Sequence, residues 1–290
     1  MTTAWVFPGQ GSQATDMADA LADLPEAQAR FAEAEQILGW SVLERCRAEA
    51  AELSRTSNTQ PCLYVVEAIL ADLLKAKGET PAYVAGHSLG EYVALYTAGV
   101  FDFATGLNLV KRRSELMQQA SGGKMAALLG FDRAALEAAI AAIEGVVLAN
   151  DNNPGQVVVS GSPEAVDQLL AEVKCKRAVP LAVSGAFHSP YMAEAAAEFS
   201  QTLEAAEFRD ASVPVLSNVD PQPATDAATL KQRLLSQMTG SVRWTETSLK
   251  LGDLGVTEQV EVGPGKVLAG LMKKTCEAIA LRNVSTPADL

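Results

Sequence analysis

The chain has 290 residues, 48% of them hydrophobic and 20% charged, and a formal net charge of -12. That length allows one large domain or a large domain with a smaller companion, and no apolar run approaches the ~18 residues of a membrane-spanning helix. The acidic balance excludes a general nucleic-acid binder, and four scattered cysteines without a CxxC pair, beside two histidines, exclude a zinc set. The opening MTTAWVFPGQG has no basic region followed by a long apolar one, so the expectation is a cytoplasmic protein without a signal peptide.

Taken in chain order, Thr3 to Phe7 reads as a short apolar strand running into the Gly-rich loop Pro8 to Gln13, an arrangement that borders ligand crevices in α/β folds. Residues 21–38 and 62–75 carry helical spacing, the second opened by Thr59 and Pro61. Residues 83–85 read as a strand, and residues 91–96 and 107–118 as helices, so the expected fold class is α/β with a mainly parallel sheet and helices on both faces. After residue 121 the pattern changes. Strands are expected at 124–129, 146–149, 156–160 and 178–183, with helices at 133–143 and 163–173. The order βαββαβ is that of a ferredoxin-like unit, which places a small domain at 122–187 inserted into a large one formed by 1–121 and 188–290. Beyond it come a helix at 190–207, a strand at 213–216, a helix at 230–238, a strand at 258–262 and a helix at 266–274.

The segment Gly86 to Gly90 reads GHSLG between an apolar strand and a helix. Strand, Gly-x-Ser-x-Gly turn and helix make a nucleophile elbow, in which Ser88 sits on a strained turn with its hydroxyl exposed. Leu89 would offer its backbone N–H from a helix N-terminus to a developing oxyanion. A serine hydroxyl is a weak nucleophile at neutral pH and needs a base in hydrogen-bond reach. His87 neighbours Ser88, and adjacent side chains on an elbow point apart, which leaves His188 in the loop before residue 190. Arg112 and Arg113 lie on the helix at 107–118, where an arginine facing a cleft would clamp a carboxylate and one facing water would be a solvated helix face. The residues alone do not choose between the two.

Seven motifs together resemble one family: FPGQGSQ at Phe7, GHSLGEY at Gly86, RSELMQ at Arg113, NDNNPGQVVVSG at Asn150, GAFHSP at Gly185, QMTGSVRW at Gln237 and EVGPGKVL at Glu261. In this order, over nearly the whole chain, they resemble the malonyl-CoA:acyl carrier protein transacylases, the acyltransferase family of type II fatty-acid synthesis. The resemblance implies a hydrolase-like large domain with a ferredoxin-like insertion. It implies Ser88 as nucleophile, His188 as base and acid, and Arg113 as the clamp for the malonyl carboxylate, with Arg112 structural. The backbone N–H groups of Gln10 and Leu89 would form the oxyanion hole, and the main chain of Gln237 would orient the histidine, without a required third acid. Asn152 and Phe187 would belong to the substrate pocket. The chain reads GAFH where malonyl-selective polyketide domains carry HAFH and methylmalonyl-selective ones YASH, but Phe187 keeps the bulk that crowds an α-methyl branch.

The implied chemistry is ping-pong transfer of malonyl from malonyl-CoA to the phosphopantetheine thiol of holo acyl carrier protein, with no metal and no cofactor. The expected partners are those two thioester carriers, with no nucleic acid and no membrane, and the expected state is a monomer. An acidic carrier requires a basic surface on an acidic enzyme, and Lys174, Lys176 and Arg177, or Lys111 and Arg112, are the candidates. A transferase serving a polyketide or malonate decarboxylase system shares every motif. A serine esterase shares only the elbow and would carry an HGGG-like loop and a histidine nearer the C-terminus. A dinucleotide-binding protein would share the glycines after the first strand but needs a second strand ending in an acid, which is missing.

Overall fold

A computed structural model of the chain describes residues 2–183 and 185–290. The elements in order are β1 (Thr3–Phe7), α1 (Pro25–Leu38), α2 (Val42–Cys46), α3 (Ala50–Leu53), α4 (Thr56–Ala76), β2 (Tyr83–Gly86), α5 (Gly90–Thr97) and α6 (Phe103–Gln119). Next come β3 (Lys124–Phe131), α7 (Arg133–Ala142), β4 (Val146–Asn153), β5 (Gln156–Gly161), α8 (Pro163–Glu172) and β6 (Cys175–Pro180). The chain finishes with α9 (Ala193–Ala205), β7 (Val215–Leu216), α10 (Ala227–Gln237), α11 (Trp244–Asp253), β8 (Glu258–Val262), α12 (Val267–Thr275) and β9 (Ala280–Val284).

Among the described residues the strands form two sheets. One is parallel throughout, in the order β7-β2-β1-β8-β9, and the other is antiparallel, in the order β4-β5-β3-β6. The second order, with α7 and α8 packed on it, is the ferredoxin-like arrangement expected from the sequence. The parallel strands are buried on both faces: Trp5, Phe7, Val84, Val260 and Val262 pack into one apolar cluster and Ala4, Val6, Ala85 and Leu216 into another. Asp102, Asp132, Ser162 and Asp226 cap α6, α7, α8 and α10, each accepting from an N–H three residues on. No helix among the described residues is long and apolar enough to cross a membrane.

Several expectations need correction. Pro61 lies inside α4, which begins at Thr56. The polar residues Asn58, Thr59 and Gln60 look like a turn but are buried, with Asn58 and Thr59 donating to the carbonyls of Glu52 and Leu53. The last strand of the small sheet runs over Cys175–Pro180, three residues earlier than expected. It pairs with β3 from Phe131 opposite Cys175 to Ala126 opposite Pro180. Its exposed edge carries Lys176 and Arg177; the Leu181 N–H still donates to Met125 O at 2.9 Å, and the apolar side chains of Leu181 and Val183 line a cavity. The sequence reading missed helix α11 and strand β9: α11 buries Trp244, Thr247, Ser248 and Leu251 at helical spacing, but two of those four are polar, and β9 is mostly exposed or half-buried.

Two junctions tie the sheets together. Gly123 passes so close to Ala186 that a Cβ would lie 2.2 Å from its backbone nitrogen. At the other junction β4 forms an isolated parallel bridge, Asn150 to Val242. The Val242 N–H donates to Ala149 O at 2.8 Å, and the Asp151 N–H donates to Val242 O at 2.9 Å.

Candidate active site

The elbow is shaped by its neighbours. β1 and β2 pair with Phe7 opposite Gly86, which brings the loop after β1 against the turn after β2. A Cβ on Gly86 would lie 1.9 Å from the Gly90 carbonyl carbon, and one on Gly90 would lie 2.0 Å from Phe7 O, so the turn admits only glycine at both places. Ser88 between them has φ 52°, the left-handed region that a side chain rarely adopts. Its backbone is clamped on both sides. The Ser88 N–H donates to Asn218 Oδ1 at 2.7 Å, and Ser88 O accepts from Gln237 Nε2 at 2.8 Å.

Ser88 Oγ lies 2.8 Å from His188 Nε2. His188 Nδ1 is 3.1 Å from both Gln237 O and Gly240 O. Carbonyls only accept, so Nδ1 carries the proton and Nε2 is left to accept from the serine hydroxyl. Burial, with Arg113 and then His87 adding to it, pushes the His188 imidazole down from 6.5 to about 3, so it stands neutral with Nε2 available as an acceptor. His87 faces away, with Nε2 2.8 Å from Asn152 Oδ1 and its ring against Trp244.

Arg113 is completely buried. Its Nη1 donates to Gln60 Oε1 at 2.7 Å, its Nη2 donates to Ser88 Oγ at 3.0 Å and to Gln237 Oε1 at 3.1 Å, and its guanidinium sits over the Tyr92 ring. The Nε–H has no partner. Arg112, one residue earlier, turns outward to Glu198 and Glu115, and Lys111 donates to Ile37 O. Arg112 is thus the arginine facing outward, and Arg113 the one turned inward to Ser88 Oγ.

A cavity of about 90 Å³ opens over the serine, bordered by Gln10, Gln60, Ser88, Leu89, Phe187 and His188. Met117, Met125, Leu181 and Val183 give it an apolar wall. Neither the Gln10 nor the Leu89 N–H is taken by a backbone acceptor, so both remain free to stabilise a negative oxygen. A larger open groove of about 320 Å³ between α6 and α9 carries Glu194 and Glu198, the wrong sign for an anionic ligand. Asn152 is not on the cavity wall: its carboxamide is held by His87, and Asn150 borders the space instead. Among the described residues no group of three or more His, Cys, Asp or Glu side chains could hold a metal ion.

The sequence reading missed Gln60, Glu91 and Asn218. Glu91 is buried, and its Oε2 accepts from Gln237 Nε2 at 2.8 Å and from the Asn218 N–H at 3.1 Å. Burial raises its carboxyl above the usual range while those two bonds lower it. The signal for Glu91 was its place directly after GHSLG. Asn218 follows a strand with no local mark.

Comparison with known proteins decides the family: the acyl transferase domain matches residues 4–287. The chain belongs to the acyl transferase domain family. It is 60% identical over 290 residues to the malonyl CoA-acyl carrier protein transacylase of Synechocystis sp., covering 100% of this chain and 99% of that one. The crystal structure of a Synechocystis malonyl-CoA:ACP transacylase superposes with a TM-score of 0.98, covering 100% of this chain and 99% of the other. A type II PKS malonyl-transacylase solved in complex with its acyl-carrier protein is 37% identical, with a TM-score of 0.94, covering 100% of this chain and 97% of that one. This acyltransferase therefore has a fold shared with family members at both moderate and high identity.

Proposed function

We propose that this acyltransferase moves a malonyl group from malonyl-CoA to the phosphopantetheine thiol of an acyl carrier protein by way of a Ser88 ester. The observation that carries the reading is Arg113, a fully buried cation with an unpartnered Nε–H and its Nη2 3.0 Å from Ser88 Oγ. Its protein acceptors, the amide oxygens of Gln60 and Gln237, are weaker than a carboxylate, so an acyl chain ending in one is a better partner. The names and identities of the relatives support the same substrate.

In the first half-reaction His188 Nε2 takes the Ser88 proton as Oγ bonds to the thioester carbon. The carbonyl oxygen, now negative, rests on the Gln10 and Leu89 N–H groups. The carbon–sulfur bond then breaks, and the CoA thiolate receives the proton from His188. In the second half the carrier thiol gives its proton to His188 and attacks the ester. The ester bond breaks, and the proton returns to Ser88. Every proton and electron pair is handled by these groups, so the reaction calls for no metal or cofactor.

In this reading the body formed by 1–121 and 188–290 holds the nucleophile, base and clamp, and the insertion at 122–187 roofs the acyl space with Met125, Leu181 and Val183. Phe187 closes the roof against an α-methyl branch. Lys111 and Arg112 are committed to neighbours, while Lys174 just before β6 and Lys176 and Arg177 on it stay exposed, which suits an acidic carrier. The enzyme works as a cytoplasmic monomer.

Intact-mass spectrometry with malonyl-CoA tests the reading. One malonyl adduct is expected, absent in Ser88→Ala, discharged by carrier thiol much faster than by water. An adduct that persists in the variant removes Ser88 from its role, and rapid discharge by water alone makes the protein an esterase. Competition between fatty-acid and polyketide carriers as acceptors assigns the pathway.

A further inference from the structure

Arg113 poses an electrostatic problem that the clamp reading does not solve. A guanidinium with no exposed surface costs several kcal/mol unless a negative charge compensates it. A directly paired carboxylate would compensate it but would then have to be displaced by every incoming malonyl group, and breaking a buried pair is itself costly. None of the acceptors around Arg113 is a carboxylate: they are the amide oxygens of Gln60 and Gln237 and the hydroxyls of Ser88 and Tyr92. Behind Gln237 stands Glu91, only 1% exposed. The Gln237 side chain is a relay. Its Nε2 donates to Glu91 Oε2 at 2.8 Å, and its Oε1 accepts from Arg113 Nη2 at 3.1 Å.

We infer that Glu91 is the resident counter-charge of the acyl clamp, set one amide away from Arg113 so that the guanidinium stays ionised without a carboxylate bound directly to it. The inference rests on the carboxylate-clamp reading of Arg113. Burial opposes the charge on Arg113, while Tyr92 and then Glu91 favour it, and of these two Glu91 is the carboxylate. The same carboxylate also anchors the two clamps of the strained elbow. Gln237 Nε2 reaches Ser88 O, and Asn218, whose N–H binds Glu91 Oε2, holds the Ser88 N–H and Gly86 O through its carboxamide. Glu91 touches no reacting atom. It is a positioning residue that sets the charge and direction of the clamp.

Two variants separate this role from mere packing. Glu91→Gln keeps the size and an acceptor for Gln237 and Asn218 but removes the charge. It should bind free malonate, read as an inhibitor of acetyl transfer, about tenfold more tightly than wild type, and the gain should vanish when Arg113→Gln is added. The swap Glu91→Gln/Gln237→Glu conserves net charge and the carboxylate–amide contact but sets the carboxylate directly on Arg113. It should raise the KM for malonyl-CoA about tenfold or more relative to that for acetyl-CoA. Unchanged malonate binding in Glu91→Gln, a gain that survives without Arg113, or a swap variant that keeps the wild-type malonyl preference overturns the inference. Should Glu91→Gln fail to fold, the swap decides. A wild-type enzyme that does not prefer malonyl over acetyl would instead overturn the clamp reading itself.

Discussion

Ser88 and His188 meet at 2.8 Å with both backbones in the left-handed region, at φ 52° and 56°. Neither is a glycine, so each conformation costs energy that the surroundings must repay. For Ser88 they do so through Asn218 and Gln237, and for His188 through the Gln237 and Gly240 carbonyls. Strain is thus held at both ends of one hydrogen bond, and the hydroxyl and imidazole are aimed before any substrate arrives.

Arg113→Ala should reduce malonyl transfer far more than acetyl transfer. A charge-assisted bond to a carboxylate is worth ~1.5–3 kcal/mol, or roughly 10- to 150-fold in kcat/KM for malonyl-CoA. Steady-state rates with both thioesters measure the ratio. Equal losses for the two acyl groups would reduce Arg113 to a packing residue.

The pH dependence carries a signature of the same arginine. Burial, then Arg113 and His87, hold His188 at about 3 against an ordinary 6.5, so kcat/KM for acetyl-CoA should show no acid limb between neutrality and about pH 5. With Arg113→Ala one of the lowering causes is gone, and the limb should move up toward 6.5. The folded state prefers the neutral ring. The stability this group contributes is therefore complete above 6.5 and is lost as pH falls toward about 3. A pH–rate profile of the two proteins checks the shift, and coincident acid limbs would refute it.

Glu67, on α4, is a buried acid beside Gly263, with neither carboxyl oxygen partnered. Burial and then Glu261 push its carboxyl well above 4.5. A raised carboxyl contributes stability that is full below 4.5 and lost as pH rises through the folded value. Glu67→Gln should therefore raise Tm by about 2 °C or more at alkaline pH and by less at acid pH. Calorimetry across that range tests it, and a variant less stable at alkaline pH would show that the acid has a partner it needs.

What the sequence revealed was what is local. The elbow is contiguous, so its strand, turn and helix could be read from neighbouring residues, and with His87 set aside there was one histidine left for its base. Arg112 and Arg113 differ only in which way α6 faces α4, and a helix carrying both signs of charge does not announce its buried side. The relay was further out of reach: Gln237 and Asn218 lie 146 and 127 residues from the Glu91 that they bond. Only the crossing of β2, β7 and α10 brings them together. The shifted strand β6 shows the converse error, since the apolar side chains of Leu181 and Val183 after it serve the cavity and not the sheet's core.

His188 Nδ1 rests on two main-chain carbonyls, those of Gln237 and Gly240, where many serine enzymes place an acidic side chain. A carbonyl belongs to every residue type, so truncating the Gln237 side chain would leave this support in place. A comparison of residue identities would overlook it, and only a change in the path of the chain after α10, such as an insertion or a proline, could take it away.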